Sequence, residues 1–109
     1  MAFQIVRERL QKAVSILADE KGRIKDRLLI AYASQLSNLD PAALPRVITE
    51  EFQGLRFALS DADMPYGYGE RAATKIHAMS EDEAAKQAQA IFRMFLAVDQ
   101  MEMESAPSV

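Results

Sequence analysis

Residues 61–70 hold the residue types most able to do chemistry in this chain. The segment reads Asp-Ala-Asp-Met-Pro-Tyr-Gly-Tyr-Gly-Glu and contains two of the three tyrosines and two of the four glycines. Proline and glycine disfavour a continuous helix, so we expect a loop here, and loops on rigid scaffolds often carry binding residues. The candidate loop contact or pocket consists of the aromatic and charged residues there and the nearby histidine: Tyr66, Tyr68, Glu70, Arg71 and His77.

The motif patterns in this loop do not match a known metal or phosphate site. A calcium loop starting at Asp61 would need glycine at its sixth position and a carboxylate at its twelfth, where this chain has Tyr66 and Ala72. The run from Gly67 to Gly69 is not followed by the Lys-Ser/Thr pair of a phosphate-binding loop. The sequence therefore predicts neither a metal nor a cofactor, and the aromatic rings are expected to pack against the helices.

Catalysis by side chains has little support in the composition. There is no cysteine, which excludes disulfides, thiolate nucleophiles and sulfur-ligated metals. His77 is the single histidine, and Glu81, four residues later, is the acid that could pair with it on a helix. A catalytic histidine needs a positioned partner, so this pattern favours a binding protein over an enzyme.

Basic residues are concentrated near the N-terminus. Residues 1–27 contain seven of the 13 lysines and arginines, while the whole chain has a net charge of −3. Acids at positions 19, 20 and 26 interrupt the cluster and weaken the phosphate attraction on which nucleic-acid binding depends. We expect a solvated corner of mixed charge. The alternative is a nucleic-acid-binding regulator, with these candidate contacts: Arg7, Lys12, Lys21, Arg23, Lys25 and Arg27.

Apolar residues recur at helical spacing through most of the chain. The first helix is predicted to end near Asp19, before a break at Gly22, and the second to cover residues 23–37. Asp40 and Pro41 are a helix-start signal, but Pro45 follows four residues later. Because proline inside a helix clashes with the preceding turn, we predict a short turn first and a main helix from Pro45.

Two more helices follow the loop. A short one is predicted over residues 70–78, and a long one over residues 81–102. Ser80 and Glu83 match a capping box, in which the serine accepts from the third helical amide and the glutamate reaches back. The pattern as a whole predicts an all-α fold, an antiparallel bundle of four long helices plus one short helix.

A single helical domain is expected over residues 1–103, with a flexible tail over 104–109. No apolar run approaches the ~20 residues of a membrane span, and the first residues lack a signal peptide's apolar region. These patterns predict a cytoplasmic protein.

The last helix carries more large apolar residues than one buried stripe needs. We interpret the surplus as a candidate interface, made of Phe92, Phe95, Leu96 and Met101. Symmetric pairs are the commonest oligomers, so a homodimer is the expected assembly. The sequence thus predicts a small interaction or regulatory protein that binds a protein partner or itself. A ligand-binding protein or enzyme with a pocket at the 61–71 loop remains the further alternative.

Overall fold

The computed structural model describes residues 3–19, 22–37, 39–59 and 68–105, without the side chains at positions 41, 68–71 and 105. Within these ranges the chain is helical and forms no strand, so the all-α prediction is confirmed. The helices are α1 (Gln4–Ala18), α2 (Ile24–Ala31), α3 (Arg46–Leu59), α4 (Tyr68–Ala78) and α5 (Glu81–Ser105). The predicted division into four long helices and one short one is not confirmed, because α5 has 25 residues and the others 8 to 15.

The connections before α2 and α3 follow the predicted turn chemistry. Gly22 has a φ of 89°, a left-handed conformation that side chains disfavour, and it separates α1 from α2. Asp40 accepts a hydrogen bond from the Ala42 amide at 3.0 Å and begins a 3₁₀ turn over Pro41–Ala43. The main helix starts just after Pro45, whose carbonyl accepts from the Ile48 amide at 3.1 Å. The expected short turn followed by a separate helix is therefore present.

The ends of the last two helices differ from the prediction. α4 begins at Tyr68, two residues earlier than expected, so Tyr68 and Gly69 belong to the helix and not to the loop. α5 was expected to end at residue 102 and continues to Ser105, so residues 104 and 105 of the expected tail are helical. Residues 60–67 and 106–109 lie outside the described residues. Helix ends are set by tertiary contacts as well as by local signals, which explains shifts of this size.

A π-helical segment over Tyr32–Leu36 continues α2. The Ser37 amide donates to the Tyr32 carbonyl at 2.8 Å, one residue further back than in an α-helix. Leu28, Tyr32 and Leu36 are all fully buried, so the core-facing side of α2 continues through this wider turn. The predicted helix over 23–37 has the right extent, but its periodicity did not reveal the change of helix type.

The core lies where all five helices meet. Its largest fully buried side chains are Tyr32, Phe52, Leu10, Leu28, Leu36, Ile48, Leu55, Leu59, Ile76, Ile91, Met94 and Val98. Burying aliphatic and aromatic side chains is the main favourable term in folding. With no tryptophan, the core depends on leucine and isoleucine contributed by every helix.

α5 packs against α1 and α3, and it runs antiparallel to both. The start of α1 meets the end of α5, where Arg7 Nη2 lies 2.6 Å from Asp99 Oδ1. Midway along α3, Glu51 Oε1 lies 2.9 Å from Arg93 Nη2, while the end of α3 lies beside Glu83 at the start of α5. α5 therefore has one side toward the core, two flanks toward neighbouring helices and one side toward solvent.

Candidate functional site

The solvent side of α5 presents three large apolar side chains. Phe92, Leu96 and Met103 are 48%, 47% and 72% exposed. Phe92 and Leu96 are one turn apart, and Met103 follows about two turns later on the same side. We call these three residues the α5 outer face. Contiguous exposed apolar side chains on a small domain mark contact surfaces more often than isolated ones do.

The predicted interface residues divide between two sides of α5. Phe92 and Leu96 are exposed, whereas Phe95 and Met101 are partly buried and pack against the core. Met94, Ile91 and Val98 are fully buried and fix which side faces inward. The surplus of apolar residues in the sequence predicted an interface, and two of its four residues, Phe92 and Leu96, are exposed. It could not show the direction of each ring, because that depends on where α1 and α3 pack.

An apolar groove of about 280 Å³ borders the α5 outer face. It runs between the end of α1, the start of α2 and the first half of α5, and Phe92 forms part of its wall. The lining residues are Val14, Leu17, Ala18, Ile24, Ala88, Gln89 and Phe92. Gln89 is the one polar side chain among them. The groove suits an apolar side chain better than a charged ligand, because few polar groups are placed to fix one.

Three basic residues bind the C-terminal ends of helices other than their own. Arg27 Nη1 donates to the Leu17 carbonyl of α1 at 2.6 Å. Lys25 Nζ donates to the His77 carbonyl of α4 at 3.4 Å, and Lys75 Nζ donates to the Phe57 carbonyl of α3 at 2.8 Å.

We call Lys25, Arg27 and Lys75 the helix-end cations. Each accepting carbonyl lies in the last turn of its helix, where backbone oxygens lack intrahelical partners and the helix dipole favours positive charge. Lys75 also lies over the Phe57 ring, 5.3 Å from its centroid. These contacts give the helix-end cations a structural role at one end of the bundle.

These contacts also account for part of the predicted nucleic-acid surface. Arg7 is held by Asp99 at 2.6 Å and by Glu102 at 3.3 Å, and the hydrogen bond that Arg7 donates to Asp99 raises the pKa of the Arg7 guanidinium. Lys25 and Arg27 bind helix ends. Lys12 and Arg23 are exposed, and Lys21 lies outside the described residues. Arg7 therefore lies near the start of α1 and Arg27 near its end, so the described basic residues are not all gathered at one place.

The structure describes little of the predicted loop contact. Tyr66 lies outside the described residues, and Tyr68, Glu70 and Arg71 are described only by their backbone in the first turn of α4. His77 has an exposed side chain, and within the described ranges that side chain forms no hydrogen bond or ion pair with Glu81. These residues therefore provide no described catalytic geometry.

A second, more open depression of about 460 Å³ lies near the end of α4. Its lining residues are Phe57, Ala58, Lys75, Ala78, Met79 and Glu83. The charged groups there are already engaged, since Lys75 binds the Phe57 carbonyl and Glu83 accepts from Gln87 at 2.9 Å. Across residues 3–19, 22–37, 39–59 and 68–105, no three His, Asp or Glu side chains are grouped so that they could hold a metal ion.

Comparison with protein-family models, with curated proteins and with solved structures gave no match. No helix in the described part of the chain is long and apolar enough to cross a membrane. The α5 outer face with its neighbouring groove is the candidate site.

Proposed function

We propose that this protein is a small cytoplasmic interaction protein that binds through the α5 outer face and associates with itself. The observation that carries this proposal is the alignment of Phe92, Leu96 and Met103 along one exposed side of a 25-residue helix, next to an apolar groove. Covering half-exposed apolar side chains removes their surface from water, at about 25 cal/mol per Å².

The other functions weighed from the sequence have weaker support. A nucleic-acid-binding regulator needs phosphate contacts from side chains that are free to make them, but Arg7, Lys25 and Arg27 are engaged within the fold. A ligand-binding protein or enzyme needs convergent polar groups in a pocket. The groove beside α5 is lined almost wholly by apolar residues.

Sedimentation velocity of the purified chain tests the proposal, over concentrations from about 1 μM to about 1 mM. The wild type should show a concentration-dependent dimer. Leu96→Glu should weaken the association by roughly 100-fold or more, because a charge at the centre of an apolar contact is left desolvated. Thermal unfolding should be nearly unchanged, since Leu96 is half exposed.

Ile30→Glu is the matched control, because Ile30 is 54% exposed on α2, on the side of that helix opposite the buried Leu28 and Ala31. It should leave the association intact. A wild type that stays monomeric at the highest concentration would refute self-association, and equal losses in the two variants would refute the assigned surface.

A further inference from the structure

The α5 outer face has a symmetry that suggests how a second copy would sit on it. Phe92 and Leu96 lie two residues before and two residues after Met94. On the same side of the helix, Ala85 and Met103 lie nine residues before and nine after. Both pairs are therefore arranged evenly about one point on α5. A surface that binds an unrelated protein needs no such arrangement, whereas a two-fold interface requires the same patch to match itself.

We propose that two copies pair along α5 in antiparallel orientation, with the two-fold axis level with Met94. The inference rests on the proposed function, and it specifies the partner as this same chain and fixes the register. In this register Phe92 packs against the partner's Leu96 near the axis. Ala85 packs against the partner's Met103 at each end, so that a small side chain faces a long one.

The charges beside the α5 outer face agree with this orientation. Lys86 and Glu104 are both exposed and are 18 residues apart, which is five full turns, so they lie on the same side of α5. An antiparallel pair brings Lys86 opposite the partner's Glu104, with an offset of two residues, or about 3 Å. In a parallel pair the flank that carries both charges would lie on opposite sides of the seam in the two copies, so neither charge would face its opposite.

The groove supplies a place for the partner's Met103. Side chains on a helix lean toward its N-terminus, so the partner's Met103 would lean from Ala85 toward Ala88 and Gln89 in an antiparallel pair. Ala88 and Gln89 line the apolar groove. Methionine is flexible and fills irregular apolar spaces well. Met103, which has 72% of its surface exposed, would then be covered.

Disulfide trapping tests the register directly, because the chain has no cysteine of its own. Ala85→Cys and Met103→Cys proteins, one carrying a size tag, are mixed and oxidised with copper phenanthroline. We expect the mixed pair to cross-link in high yield. Each variant alone should cross-link poorly, because identical positions would lie about 27 Å apart along the helix axis. Efficient cross-linking of Met103→Cys with itself would overturn the inference.

Charge exchange provides a second, independent test. Lys86→Glu and Glu104→Lys should each weaken dimerisation by roughly three- to tenfold, because the dimer contains each exposed ion pair twice. The double variant should recover most of the affinity, and Lys12→Glu is the control for charge alone. A double variant as weak as the two single changes combined would contradict the register. A dimer with another cross-linking pattern refutes the register alone, whereas a monomeric wild type refutes the proposed function.

Discussion

Two regions of this small bundle differ in whether their surface side chains are bound within the fold or left exposed. Where α1, α3 and α4 end, the helix-end cations reach across to backbone carbonyls of neighbouring helices. On the α5 outer face, large apolar side chains point to solvent, and none of the described residues covers them. The first region uses its cations within the fold, and the second leaves surface available for a partner. In this protein the basic residues near the helix ends stabilise the fold, and the exposed apolar residues of α5 form the candidate site.

Truncating one methionine on each side of α5 compares how much the buried side and the exposed side contribute to the free energy of unfolding. Met94→Ala should lower the free energy of unfolding by about 2–5 kcal/mol, because it leaves a cavity in the core. Met103→Ala should change it by no more than ~0.5 kcal/mol, since that side chain is exposed. Urea unfolding of both variants at low protein concentration gives the two values. Similar losses would mean that the outer face contributes to the monomer's stability.

The helix-end cations can be tested by removing one charge and keeping its bulk. Arg27→Met should reduce the free energy of unfolding by about 1–3 kcal/mol, because the Leu17 carbonyl loses its donor. Arg23→Met is the matched control on an exposed neighbour and should stay within ~0.5 kcal/mol. Equal effects in the two variants would show that Arg27 acts through general charge and not through the end of α1.

A smaller effect is expected at the first turn of α5. Ser80 Oγ accepts from the Glu83 amide at 3.0 Å, so Ser80→Ala should reduce the free energy of unfolding by about 1 kcal/mol. Ser15→Ala, within α1 and exposed, should be neutral or slightly stabilising. Hydrogen exchange of the Glu83 amide measures this hydrogen bond directly. Unchanged protection of that amide in Ser80→Ala would argue against capping by Ser80.

The sequence predicted the helices well because each has a strong local signal. Gly22, the Asp40–Pro41 start and Ser80 all act as expected, although the reciprocal half of the capping box is absent. The Glu83 carboxylate accepts from Gln87 and does not reach back to the Ser80 amide. The nearby glutamine offers a competing donor one turn later, which local pattern rules do not consider.

The candidate site was only partly predictable. Surplus apolar residues on the last helix predicted an interface. Which of them are exposed, as Phe92 is, and which pack on the core, as Phe95 does, depends on where α1 and α3 lie. The cross-helix roles of Lys25 and Arg27 had no sequence signal, because their acceptors are backbone carbonyls 10 to 52 residues away. The 61–70 loop, which carried the most suggestive residue types, lies largely outside the described residues.

The π-helical segment over Tyr32–Leu36 has a consequence for comparing this chain with related sequences. A π turn accommodates one residue more than the α-helical turn it replaces, while the flanking core residues keep their places. A relative that lacks one residue in this segment should therefore have a plain α-helix there and still bury its counterparts of Leu28 and Leu36. In an alignment, a single-residue gap between these positions would mark a change of helix type, with the surrounding fold preserved.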